Sequence, residues 1–241
     1  MTTRKQHYVP QFYLKRFEDN TGRLTVENIH TNNYSKMLTR NVCFEKDMYE
    51  IKDDNGKKYK ENYLEKMFSN FQSYISYNFD KLICRIQEYK NIKDFRLTGE
   101  EDTIIALFIT LQLIRHPTFK RFVYQSLDNS NIANVSEMEK GLFYVMLNFT
   151  DETFEEVMID IFPDIEPAKL PKGNKNLLSE ICSYLVSNCY FSLVVPKSED
   201  TCFLTSDNII VKSPSRDIKY YFPLTKKIGV IVCEFSELSH S

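Results

Sequence analysis

The chain has 241 residues, 42% of them hydrophobic and 27% charged, with a formal net charge of −2 at pH 7. That balance excludes a disordered chain and a surface that wraps nucleic acid all round, and the length suits one large domain or two small ones. The longest apolar run, Ile104 to Ile114, is about half of the roughly 20 residues a membrane span requires and stops at Arg115, so no membrane partner is expected.

The opening Met-Thr-Thr-Arg-Lys-Gln-His has no apolar stretch behind its basic residues, so it does not read as a secretory signal and a cytoplasmic location is expected. Cys43, Cys84, Cys182, Cys189, Cys202 and Cys233 lie far apart with no C-x-x-C pair. Free thiols are expected rather than disulfides or a zinc site.

In His7-Tyr-Val-Pro-Gln-Phe-Tyr-Leu-Lys-Arg-Phe17, the placing of Phe12, Leu14 and Phe17 predicts a short amphipathic helix whose first turn begins at Pro10. His7 then lies just outside the helix N-terminus, where it either caps the incoming chain or, kept neutral by the dipole, serves as a base. Basic residues outnumber acidic ones between Arg4 and Arg40, as one basic face or as ordinary solvated surface. Alternation predicts strands over 23–29 and near 34–38, and Asn55-Gly56 predicts a hairpin over 47–60.

The middle of the chain reads as helix. Apolar residues from Tyr63 to Ile86 recur at spacings of three and four, which predicts one long helix. Thr98-Gly-Glu-Glu101 is a capping box opening a helix through Ile114, which Pro117 ends or kinks. Ser136-Glu-Met-Glu139 opens another through Leu147, and a further helix is expected over 152–161. Pro163, Pro167, Pro171 and Gly173 mark a loop or boundary before a helix over 177–188. Short β-rich runs follow at 190–195, 202–205, 209–211, 218–222 and 228–233. The order predicts a single α+β domain over residues 1–241, a central helical bundle with small antiparallel sheet regions from the N- and C-terminal segments.

No nucleotide-binding glycine loop, H-E-x-x-H, G-x-S-x-G or calcium loop is present. Gln112, Arg115 and His116 stand at i, i+3 and i+4 and share one helix face. A guanidinium there is costly unless it meets a carboxylate, a phosphate or backbone carbonyls, which leaves structural pairing and anion recognition both open. Thr205-Ser206-Asp207-Asn208 interrupts an apolar strand, either as a turn closed by its own side chains or as a bend presenting Ser206 and Asp207 to a cleft.

These segments, with residues 41–49 and Phe222-Pro223-Leu224, resemble the HYVPQ-type family of bacterial domains of unknown function, in the same order over nearly the whole chain. The resemblance implies a stand-alone microbial protein with polar motif positions at His7, Gln112, Arg115, Ser206 and Asp207. This chain departs from the pattern at Ile209, where a proline often follows Ser-Asp-Asn. Similar proteins run past the last strand, so a C-terminal end missing beyond Ser241 is expected.

Two functions are carried forward. In the first, a hydrolase or nuclease-like effector acts on a phosphate-containing substrate, with nucleic acid or a nucleotide as partner. His7 is its acid or base, Gln112 and Arg115 hold the phosphate, and Asp207 with Ser206 orients His7 or a divalent metal. In the second, a non-catalytic ligand- or partner-binding module of microbial defence pairs Arg115 with Asp207 and uses His7 as a cap. Its 18 Phe and 15 Tyr supply binding surface. The four histidines, His7, His30, His116 and His240, lack ligand spacing, so a divalent metal needs carboxylates beyond Asp207, such as Glu65. The deciding question is whether His7, Arg115 and Asp207 meet in one hydrogen-bonded network opening on a pocket.

Overall fold

The computed structural model describes residues 4–59, 61–89, 92–129, 135–149, 177–214 and 218–235. Helices form its middle and small antiparallel sheets come from both ends, the α+β arrangement expected. β1 (Lys5–His7) pairs with β4 (Phe44–Lys46), and β2 (Leu24–Asn28) with β3 (Asn33–Met37). Between β1 and β2 the amphipathic stretch forms only one α-turn, α1 (Gln11–Leu14), continued by a 3-10 turn at Lys15–Phe17. Pro10 is its N-cap rather than its first helical residue, with an extended backbone (ψ 136°) and a carbonyl that accepts from Tyr13 and Leu14. The hairpin expected at Asn55-Gly56 is reduced to one bridge, Lys52 to Lys58, turning at Gly56 with φ +78°.

α2 (Tyr63–Gln87) buries Leu64, Phe68, Ile75, Phe79, Leu82 and Ile86, the spacing the sequence displayed. α3 (Gly99–Arg115) opens on the capping box: Thr98 Oγ1 accepts from the Glu101 amide at 3.3 Å, and Glu101 accepts from the Thr98 amide at 2.8 Å. Pro117 does more than end α3. It occupies the first position of α4 (Pro117–Asp128), where its missing amide costs nothing, and His116 between the two helices is extended (φ −67°, ψ 139°). A second capping box at Ser136 and Glu139 starts α5 (Glu137–Phe149). The helix expected over 152–161 and the boundary at 163–173 lie outside the described residues.

α6 (Leu177–Asn188) runs directly into β5 (Cys189–Val194) of a four-stranded antiparallel sheet ordered β5-β8-β7-β6, with β6 at Val211–Lys212, β7 at Tyr220–Pro223 and β8 at Gly229–Glu234. The strand expected over 202–205 does not form, and only Val211 and Lys212 pair near 209–211. Ser206 and Asp207 side chains bond their own backbone at Asn208, which competes with a ladder. All six cysteines are free; Cys84 and Cys202 are exposed. No helix among the described residues is long and apolar enough to cross a membrane.

The two ends of the chain meet on α3. The Tyr13 and Phe222 rings both lie 5.4 Å from Phe108, and Phe79 lies 5.0 Å from it on the α2 side. The buried Tyr13 hydroxyl donates to the Pro223 carbonyl at 2.7 Å and meets Thr205 Oγ1 at 3.0 Å. One side chain therefore joins the first motif to both C-terminal ones, which gives a packing reason for their occurring together.

Candidate functional site

The last turn of α3 sorts the motif residues. Each helical step rotates a side chain by about 100°, so Arg115 and His116 flank Gln112 on opposite sides and point about 100° apart. They face different surroundings.

On one side the chain is sealed. Arg115 is only 1% exposed, and its guanidinium donates to the backbone carbonyl of His7. It lies 4.8 Å from the Phe68 ring and 5.9 Å from that of Tyr49. The Tyr49 hydroxyl donates to the Arg115 carbonyl at 2.7 Å, and burial pushes that phenol up to about 12, so it stays a donor. Burial also raises the Glu65 carboxyl, with Arg115 opposing and Glu50 adding. Of the partners open to Arg115, the structure supplies a carbonyl, and the carboxylate that feels its charge is Glu65.

His7 belongs to this side. It closes β1 opposite Phe44, against whose ring it packs at 5.7 Å. Its Nδ1 is 3.4 Å from the Gln11 amide nitrogen, and its enclosed Nε2 has no hydrogen-bond partner among the described residues. Burial lowers its pKa; the Arg40 backbone opposes this, while Arg115 and Lys5 add to it. The imidazole is therefore neutral at pH 7.

On the other side a cavity of about 370 Å³ opens, lined by Tyr8, Gln112, His116, Thr118, Asp207 and Asn208, with Phe119, Phe122, Ile209 and Ile210 among its apolar walls. Among the described residues, Asp207 is the one formally charged member of the lining, and no lysine or arginine joins it. His116 Nδ1 accepts from the Thr118 amide at 3.3 Å as the cap of α4. The hydrogen of the neutral ring accordingly sits on Nε2, an assignment inferred from this bond, and makes Nε2 a donor. Burial lowers the His116 pKa, with Asp207 opposing and Arg121 adding. Tyr8 stands edge-on to that ring at 5.7 Å, and burial raises its phenol to about 12, so it too is a donor.

Asp207 is exposed, and its Oδ1 accepts from the Asn208 amide at 3.0 Å. Ser206 Oγ donates to the Asn208 carbonyl at 2.7 Å and is not part of the lining. Gln112 and Asp207 thus meet at the cavity, His7 and Arg115 meet through a backbone carbonyl, and Ser206 closes a turn. Among the described residues no group of three or more His, Cys, Asp or Glu is arranged to hold a metal ion.

The imidazole beside the acid is that of His116, and Tyr8 lies alongside; neither was singled out for this role from sequence. Two signals were present. Neighbours in extended chain point to opposite sides, so an inward His7 sends Tyr8 the other way. On the helix, Gln112 and His116 are four apart, a closer angular match than Arg115 and His116.

The description "Protein of unknown function (DUF4238)" matches residues 5–238, nearly the whole chain. It carries the unknown-function part of the expected resemblance and says nothing of the HYVPQ-type label. Neither the curated proteins nor the solved structures hold a match.

Proposed function

We propose, for a chain that belongs to the DUF4238 family of proteins of unknown function, that it is a ligand-binding domain. Its cavity takes a small molecule with an apolar flank and a polar end rich in hydrogen-bond donors. An amine, amide or hydroxyl group meets Asp207, while an acceptor on the ligand meets the Tyr8 hydroxyl and His116 Nε2. An anionic end is disfavoured, because the only charge among the described residues of the lining is negative. The observation that supports this reading is the convergence of Tyr8, Gln112, His116 and Asp207, from three distant stretches, on one cavity within the usual size range of ligand pockets.

The test is a ligand-observed NMR screen with neutral, cationic and anionic fragments against wild type and Asp207→Asn. Neutral and cationic fragments bind wild type, and the cationic ones weaken by about tenfold in the variant. A hit set dominated by anions, or one indifferent to Asp207, rejects the proposal.

A hydrolytic reading has one observation in its favour, the presence of His116 and Asp207 on the lining of the same cavity, where the carboxylate opposes the lowering of the His116 pKa. Phosphate would have to be held by neutral donors alone, since Arg115 is occupied by the His7 carbonyl. Its test is turnover of RNA, DNA and nucleotides with and without Mg²⁺. Activity lost in Asp207→Asn and His116→Asn supports it; activity absent from wild type, or equal in all three, removes it.

A further inference from the structure

A second recess, of about 350 Å³, lies between the 47–56 segment, one face of α4 and the first residue of α5. Its walls set Lys120 and Tyr124 of α4 against Asp47, Asp53, Asp54 and Glu137. The Lys120 ammonium donates to the Met48 carbonyl and lies 5.1 Å from the Tyr124 ring, yet it makes no ion pair among the described residues.

The nearby acids have other partners. Asp53 accepts from the amides of Asn55 and Lys57 at 3.0 and 2.7 Å, and Asp54 from that of Glu137 at 3.3 Å. Glu137 holds Lys140 at 2.8 Å, and Asp47 faces Arg4, Lys52 and Lys58. Glu50, also on the wall, accepts from Gln6 at 2.9 Å and from the Asn62 amide at 3.1 Å. Among the described residues, Lys120 loses water without gaining a counter-ion. Burial holds its ammonium down at about 8, with Glu137 the first of the charges that oppose the drop.

We propose that Lys120 is a carbonyl-reactive amine and that this recess is a binding site for small uncharged aldehydes or ketones, separate from the Tyr8, His116 and Asp207 cavity. The neutral nitrogen adds its lone pair to the carbonyl carbon, and the displaced π pair on oxygen takes up the proton that nitrogen releases, giving a carbinolamine. Loss of the hydroxyl as water, with one proton drawn from solvent, leaves a protonated imine. Amine and carbonyl become imine and water with no change of oxidation state. The bond to the Met48 carbonyl uses an N–H, so it positions the nitrogen and leaves the lone pair free. Among the described residues of the walls, the carboxylates of Asp47, Glu50, Asp53, Asp54 and Glu137 outnumber Lys52 and Lys120, which turns away oxo-acids.

The test uses the full chain at pH 7 with propionaldehyde and sodium cyanoborohydride, followed by peptide mapping. Lys120 labels about tenfold or more faster than the exposed Lys57 and Lys66, and glyoxylate at the same concentration labels Lys120 more slowly than propionaldehyde does. This within-chain comparison needs no variant. Lys120→Arg, which keeps the charge and an N–H for Met48, removes the fast phase of labelling. Lys120 labelling no faster than Lys57 and Lys66, or a fast phase that survives in Lys120→Arg, overturns the proposal. Equal labelling by glyoxylate overturns its assignment to uncharged carbonyls.

Discussion

The two sides of the last turn of α3 differ in what they do with polar groups. On the sealed side, Arg115 is 1% exposed and is held by the His7 carbonyl and two aromatic rings. On the open side, Gln112, His116 and Asp207 border a cavity, where His116 Nδ1 and Asp207 Oδ1 accept only from nearby backbone amides. Residues that sit together in one motif therefore divide into those that hold the N-terminal segment onto α3 and those that line the cavity. The direction in which each side chain leaves the last turn of α3, rather than residue type, makes the division.

Removing Arg115 has the largest expected effect. Arg115→Ala strips the His7 carbonyl and Glu65 of the charge they face and opens a hole beside Phe68, at a cost of about 3–5 kcal/mol. Arg115→Lys recovers only part, because an ammonium lacks the planar fork and stacks less well on the rings. Urea unfolding checks both. A loss below about 1 kcal/mol in Arg115→Ala would erase the distinction between the two sides.

His7 comes next, and its effect is readable through pH. Folding favours the neutral ring at both His7 and His116, whose pKa values are lowered from 6.5 by burial. Below about 6.5 the unfolded chain takes up protons that the folded chain resists. The stability contributed by the two rings is complete above that pH and is lost as pH falls through their lowered folded values. His7→Asn costs about 2 kcal/mol at pH 7.5 and flattens the acid side of a plot of urea midpoint against pH. It leaves fragment binding intact, since His7 is not on the cavity wall. A wild-type slope in the variant would take His7 out of the acid response.

Replacing His116 probes the open side with a smaller loss of stability. His116→Ala removes the cap of α4 and costs about 1 kcal/mol, whereas His116→Asn keeps a capping oxygen for the Thr118 amide and recovers most of it. Both variants lose the Nε2 donor, so both weaken a ligand that uses it. Capping restored without binding is the expected signature, measured by thermal unfolding beside titration calorimetry.

Much of the architecture was legible because it is local. The spacing of Leu64, Phe68, Ile75, Phe79 and Leu82 gave α2, and the Thr98–Glu101 and Ser136–Glu139 boxes gave two helix starts. α4 was missed because Pro117 reads equally as a stop and as a first residue; only the extended His116 decides between them. The strand expected at 202–205 does not form, and directly after it the Ser206 and Asp207 side chains close a turn on the Asn208 backbone. The division of the site was illegible for a different reason. Whether Arg115 or His116 faces the core depends on contacts such as Tyr13 to Pro223 and Arg115 to His7, made across long stretches of chain with no local trace.

Asp207 carries the smallest expected change in stability and the sharpest test of the comparison. Its side chain is exposed, and the Oδ1 that accepts from the Asn208 amide at 3.0 Å has a chemical equal in the Oδ1 of asparagine. Asp207→Asn should therefore unfold within about 0.5 kcal/mol of wild type. The substitution removes the only formal charge among the described residues of the cavity lining and the larger of the two charges, Asp207 and Glu45, that oppose the lowering of the His116 pKa. In the variant, the His116 ring resonances titrate at lower pH than in wild type, while those of His7, on which Asp207 is not among the acting charges, stay where they were. An NMR titration follows both rings in one sample. Movement of His7 along with His116 would mean that the two sides of the α3 turn share one electrostatic site, as the sequence first suggested; an unmoved His116 would remove the acid–imidazole coupling on which the cavity's polar end depends.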